Sequence, residues 1–167
     1  MLKKICNTLF TIMVVALALT AAALVVPPLL GYQSMAVLSG SMEPKIGVGA
    51  IVYAKEVDVA ELETDDIITY RLTGNTMVTH RIVEIDSEQK CFITKGDAND
   101  VVDTSPVTYE QVVGRVDFHL PLLGYVSMYI KTPLGIAAAC GILFIAVLLC
   151  FLPDIFSKED KKSGKEK

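Results

Sequence analysis

Apolar and polar positions divide the chain into three stretches of different period. From Ile5 to Met42 no residue carries a formal charge, and the part from Ile5 to Val26 is apolar all round rather than striped. As a helix rising 1.5 Å per residue it would measure roughly 33 Å, enough to cross a bilayer core. Pro27-Pro28 is expected to end it, because proline lacks the amide donor and clashes with the preceding turn. A second apolar run, Leu134 to Leu152, lies between Pro133 and Pro153 and would measure roughly 28 Å.

Between these runs the pattern has period two or short apolar runs, not helical stripes. Ala50–Ala54, Ile67–Arg71, Met77–Ile85, Cys91–Thr94 and Gln111–Val116 are rich in Val, Ile, Thr, Tyr and Phe, the composition of half-buried strands. Leu72–Thr76 has the character of a hairpin loop, and Asp86–Lys90 that of the next turn. Only Val57–Leu62 suggests a helical turn. The predicted fold class is mainly β: an all-β domain on the outer membrane surface between two transmembrane α-helices. The tail Lys158–Lys167 is charged and low in complexity, and is expected to be irregular and solvated.

Charge sets an expected orientation. Lys3 and Lys4 precede the first run, and Lys158, Lys161, Lys162, Lys165 and Lys167 follow the second. By the positive-inside bias both ends are cytoplasmic, which two spans make self-consistent. The expected organisation is residues 1–4 as a cytoplasmic N-terminus, 5–30 as the first transmembrane helix and 31–131 as an extracytoplasmic β domain. Residues 132–153 then form the second transmembrane helix and 154–167 a cytoplasmic charged tail. A cleavable signal peptide is the alternative for the first run, with Thr20–Ala23 offering small residues. The run is longer than an h-region of about 7–15 residues, so the reading adopted is a retained anchor in the cell membrane.

The outer domain carries 8 Lys+Arg against 15 Asp+Glu over Glu43–Lys131, so nucleic acid is not an expected partner. Cys91 is the one cysteine of that domain; Cys6, Cys140 and Cys150 lie in or beside the apolar runs. No Cys/His spacing suggests zinc, and no cofactor or metal is expected.

Candidate chemistry gathers in three segments: Ser39-Gly40-Ser41-Met42-Glu43-Pro44, Thr79-His80-Arg81, and Lys95-Gly96-Asp97-Ala98-Asn99-Asp100 extended to Asp103. They supply a hydroxyl, an imidazole and carboxylates, the inventory of nucleophilic acyl transfer. A serine hydroxyl needs a base to take its proton, and the base benefits from an acidic orienter. Each segment also has a plainer use: Ser beside Gly is common in turns, a strand histidine is often part of the sheet, and Lys-Gly-Asp-Ala-Asn suits a β-turn. The residues alone support a two-span protein with a β ectodomain and a candidate serine site.

Taken together, these segments resemble the boxes of the type I signal peptidases. Ser39–Pro44 is similar to the nucleophile box, and Gly49-Ala50-Ile51-Val52 and Asp65–Tyr70 to the second and third. Thr79-His80-Arg81-Ile82-Val83 is similar to the box carrying the base, Lys95–Asn99 to the last box, and Gly114–Tyr125 to the segment leading out of the domain. Histidine at position 80, where the bacterial majority type carries lysine, places the resemblance in the endoplasmic-reticulum and archaeal branch, also found as a minor type in Gram-positive bacteria. Ala50 departs from the Asp of many members.

The resemblance implies the signal-peptidase β fold and a serine endopeptidase that cuts signal peptides from exported preproteins after small residues at A-x-A-like sites. It implies Ser41 as nucleophile, His80 as general base and Asp103 as orienter, with Ser39 as an oxyanion donor. Asp97 has a supporting role, in a turn where its side chain can bond backbone amides or Arg81. Implied partners are preproteins, membrane lipid and accessory membrane subunits. Met35, Val37, Leu38 and Met42 suit either an apolar rim at the lipid interface or the core. The rival reading is a non-catalytic two-span protein whose β ectodomain binds a partner.

Overall fold

The computed structural model of the chain describes residues 2–130 and 132–163. Met1, Lys131 and the last four residues of the expected tail lie outside the described residues.

The first apolar run forms α1 (Leu2–Leu29), and the last forms α3 (Pro133–Ser163). Within them, Lys4–Leu29 and Pro133–Cys150 are long and apolar enough to cross a membrane. Their large apolar side chains are exposed, Leu19 by 66% and Phe144 by 64%. A helix that shows apolar side chains on all sides needs an apolar surrounding. Both helices run further than expected. α1 continues through Pro27 and Pro28, and Leu30 and Gly31 then donate to the carbonyls of Val26, Pro27 and Pro28. Gly31, at φ +87°, makes the left-handed stop that a residue with a Cβ adopts only at a cost. α3 continues past position 153 to Ser163, so the start of the tail is helical rather than irregular. A proline removes one rung of the ladder, and a long helix can keep its remaining rungs across that local defect.

The middle of the chain builds a seven-stranded antiparallel sheet. Its strands are β1 (Tyr32–Ala36), β2 (Ile51–Lys55), β3 (Ile67–Arg71), β4 (Met77–Asp86), β5 (Cys91–Lys95), β6 (Val107–Thr108) and β7 (Val112–Leu120). Their order across the sheet is β1-β2-β7-β3-β4-β5-β6. The fold is thus mainly β, flanked by two candidate spans. Five strands fall where the period-two stretches predicted them, with ends shifted by a few residues. β1, β6 and a short helix α2 (Leu123–Tyr129) are additional.

Two apolar clusters fill the sheet. One joins Leu62, Ile68, Tyr70, Ile82, Phe92 and Val107. The other joins Met42, Ile46, Ala50 and Val52, with Met35 and Val37 packed on it. Strand alternation aims the site residues into the first cluster. Ile68 lies opposite His80, and Ile82 opposite Thr94. Because side chains two apart share a face, Tyr70, His80, Ile82 and Thr94 all project to the same side of the sheet.

Candidate active site

Ser41 stands on the connection between β1 and β2, where the chain turns twice. Glu43 N–H donates to the Gly40 carbonyl at 3.0 Å and Ile46 N–H to the Met42 carbonyl at 2.8 Å. Met42 and Ile46 are buried, and so peg this connection into the second cluster. The Ser41 carbonyl is held from the other side by the Ala98 N–H at 2.9 Å. Gly96 lies so close that a Cβ there would meet that carbonyl oxygen at 2.5 Å and the Asn99 amide nitrogen at 2.8 Å. The loop after β5 is therefore moulded onto the serine segment, and position 96 has no room for a side chain.

His80, on β4, is buried at 8% exposure. Its Nε2 lies 3.1 Å from Ser41 Oγ, and its Nδ1 lies 2.6 Å from Asp103 Oδ2. Asp103 is in the loop between β5 and β6, which is pinned back to the sheet by the Asp103 N–H donating to the Thr94 carbonyl at 2.9 Å. Burial alone would raise the Asp103 pKa. Hydrogen bonds from Thr94 and His80, the charge of His80 and the hydroxyl of Tyr70 outweigh it, and the pKa falls below its ordinary value. An ionised carboxylate can only accept, so the proton between the two side chains belongs to Nδ1. In the neutral imidazole Nε2 is then left as an acceptor facing the serine hydroxyl. Such an array can draw a proton from Ser41 and hold it on the imidazole.

The other residues singled out in the sequence take distinct places. Ser39 is exposed, its Oγ 3.4 Å from Ser41 Oγ. Asp97 forms a two-pronged ion pair with Arg81, Nε to Oδ1 at 2.8 Å and Nη2 to Oδ2 at 2.6 Å, while Arg81 Nη1 also donates to the Asp65 carbonyl at 2.7 Å. Asp100 is exposed and takes no part in these contacts. Beside Ser41 and His80 opens a cleft of about 320 Å³, with Val37, Leu38, Met42, Ile46 and Val52 among its walls. Of the four residues weighed between rim and core, Met42 is core, Leu38 is 70% exposed, and Met35 and Val37 are half-buried. Tyr70 and Thr94, which bond Asp103, were not read as site residues. Strand parity would have found them, but only once the register of β3, β4 and β5 was known. Among the described residues no group of three or more His, Cys, Asp or Glu side chains is arranged to hold a metal ion.

Comparison with known proteins agrees with the boxes. Signal peptidase I W of Bacillus subtilis (strain 168) is 44% identical over 99 residues, which cover 57% of this chain and 52% of the relative. The chain is related to signal peptidases. The signal peptidase complex catalytic subunit SEC11 of Candida albicans (strain WO-1) is 35% identical over 106 residues, covering 57% of this chain and 63% of the relative. SEC11 of Scheffersomyces stipitis is 36% identical over 105 residues, covering 56% and 63%. No family model matches the chain. The chain spans about half to just under two thirds of the length of these curated signal peptidases. They bear out the resemblance read from the motifs, including its branch, for they combine a Gram-positive enzyme with catalytic subunits from yeast. With two helices able to cross a bilayer, this signal-peptidase relative is a membrane-associated chain.

Proposed function

We propose that this chain is a membrane-anchored serine endopeptidase that removes N-terminal signal peptides from exported preproteins. The observation that carries the reading is the unbroken line from Ser41 Oγ through both nitrogens of His80 to Asp103, at 3.1 and 2.6 Å, with Ser41 and His80 on the wall of a mainly apolar cleft. Ser41 Oγ attacks the scissile carbonyl as its proton passes to His80 Nε2. The Asp103 carboxylate stabilises the imidazolium that results. The tetrahedral oxyanion takes hydrogen bonds from the Ser41 N–H and the Ser39 hydroxyl. Losing one such donor costs on the order of 10²–10³ in turnover. His80 then gives its proton to the leaving amine. In the second half a water, deprotonated by the same imidazole, releases the signal peptide from Ser41 and regenerates the hydroxyl.

The apolar walls of the cleft suit small aliphatic side chains, in keeping with A-x-A-like cleavage sites. Accessory membrane subunits belong to the proposal because the yeast relatives are named as catalytic subunits of a complex. The proposed topology sets both ends in the cytoplasm and the sheet domain outside, following the lysines at each end. The test is to incubate detergent-purified protein with a preprotein and read the product N-termini by mass spectrometry. A single new N-terminus after a small residue, lost in Ser41→Ala, is expected. Equal cleavage by Ser41→Ala would overturn the reading.

A further inference from the structure

Asp103 belongs to a loop, and a loop carboxylate is free to rotate away from its partner unless something holds it. Its main chain is tied to β5 through Thr94, but that bond leaves the side chain free. The side chain is instead met by two hydroxyls rising from strands. Thr94 Oγ1 of β5 lies 2.6 Å from Asp103 Oδ2, and Tyr70 Oη of β3 lies 3.2 Å from it. Both converge on the same oxygen that accepts from His80 Nδ1.

Geometry decides where the hydroxyl hydrogens go. Thr94 and Tyr70 are also 3.4 Å apart, a much longer contact than the 2.6 Å from Thr94 to the carboxylate. The single hydrogen of Thr94 therefore points to Asp103, and the single phenolic hydrogen of Tyr70 does the same. Burial, with a smaller push from Asp103, raises the Tyr70 pKa to about 12, so Tyr70 remains a donor at neutral pH. Thr94 is wholly buried and Tyr70 is 3% exposed. Neither lines the cleft beside Ser41. Two strand hydroxyls on the His80-bonded oxygen make a seat for that carboxylate.

We propose that Thr94 and Tyr70 are positioning residues that hold the Asp103 carboxylate against Nδ1 of His80. The inference rests on the Ser41–His80–Asp103 reading above and extends it to two side chains that act only through Asp103. Thr94 is the stronger of the two, by its shorter bond and its stiff β-branched side chain.

The test measures cleavage of a preprotein with an A-x-A site by the detergent-purified full chain. Thr94→Val, Thr94→Ser and Tyr70→Phe are compared in the wild-type and Asp103→Asn backgrounds, alongside melting temperature. In the wild-type background Thr94→Val is expected to lower kcat roughly 10- to 100-fold with KM little changed. Thr94→Ser, which keeps the hydroxyl, should restore most of that loss, and Tyr70→Phe should show a smaller one. In Asp103→Asn the same substitutions should have little further effect, because what they position is already gone. Equal fold-losses in both backgrounds would overturn the inference, as would lowered melting temperatures with unchanged kcat. If Thr94→Val does not fold, Tyr70→Phe decides by the same comparison. Wild-type activity in Asp103→Asn by itself would bring down the triad reading and this inference with it. An inactive Asp103→Asn beside fully active Thr94→Val and Tyr70→Phe would bring down this inference alone.

Discussion

Three aspartates within seven positions are set apart by what each one touches. Asp103 faces His80, Asp97 faces Arg81, and Asp100 faces solvent. Asp103→Asn should leave a folded protein with severely reduced cleavage. Asp97→Asn should lower cleavage together with the melting temperature, since an ion pair with two short hydrogen bonds is broken at a cost of roughly 1–3 kcal/mol. Asp100→Asn should be nearly neutral in both. Rates and melting curves for the three variants separate these outcomes. A folded but inactive Asp97→Asn beside a fully active Asp103→Asn would reverse the assignment. The shifted pKa of Asp103 adds a prediction about acid. Because its folded-state pKa lies below the ordinary 3.8, its stabilising contribution is complete above that value and is lost as pH falls through the lower, folded one. The melting temperature of wild type should exceed that of Asp103→Asn near neutral pH, and the gap should close only below about pH 4. A gap unchanged down to about pH 2 would contradict the direction of the shift.

The nucleophile segment and the loop after β5 are stabilised as one piece, through Ala98 N–H on the Ser41 carbonyl and Gly96 pressed against it. Gly96→Ala should therefore displace Ser41 from His80, with cleavage falling steeply while the sheet still melts cooperatively. Activity close to wild type would show that the loop can yield without moving the serine. This coupling joins residues 55 positions apart and could not be read from composition. The strands were legible where β-branched and aromatic residues ran for five residues or more between turn residues, as in Ile67–Arg71 and Met77–Ile85. β1 was not, because Tyr32-Gln33-Ser34-Met35-Ala36 lacks β-branched residues and follows directly on an apolar helix. β6 has two residues and gives no pattern at all. The candidate site was legible in its serine and histidine because motif and spacing mark them. Tyr70 and Thr94 were not, because a buried tyrosine and threonine in strands look like core until pairing register places them beside a carboxylate.

At the scale of the whole chain, the signs of charge and the exposed apolar helices make one joint claim. α1 and α3 each carry a stretch that can cross a bilayer, and lysines stand before the first and after the second. The sheet domain between them has an excess of acidic side chains, and acidic residues contribute little to orientation. In the proposed topology the lysines therefore decide it, with both ends on the cytoplasmic side. Thr73 lies in the exposed hairpin between β3 and β4, far in sequence from either helix, and Lys162 lies in the basic tail. With Cys6, Cys91, Cys140 and Cys150 replaced, Thr73→Cys should react with a membrane-impermeant maleimide on sealed cells. Lys162→Cys should react only after permeabilisation. Labelling of both positions on sealed cells would mean that α3 does not cross the membrane. The reverse pattern would put the sheet inside, where it could not meet signal peptides emerging at the outer face, and would rule out the proposed function even if Ser41 proved nucleophilic in detergent.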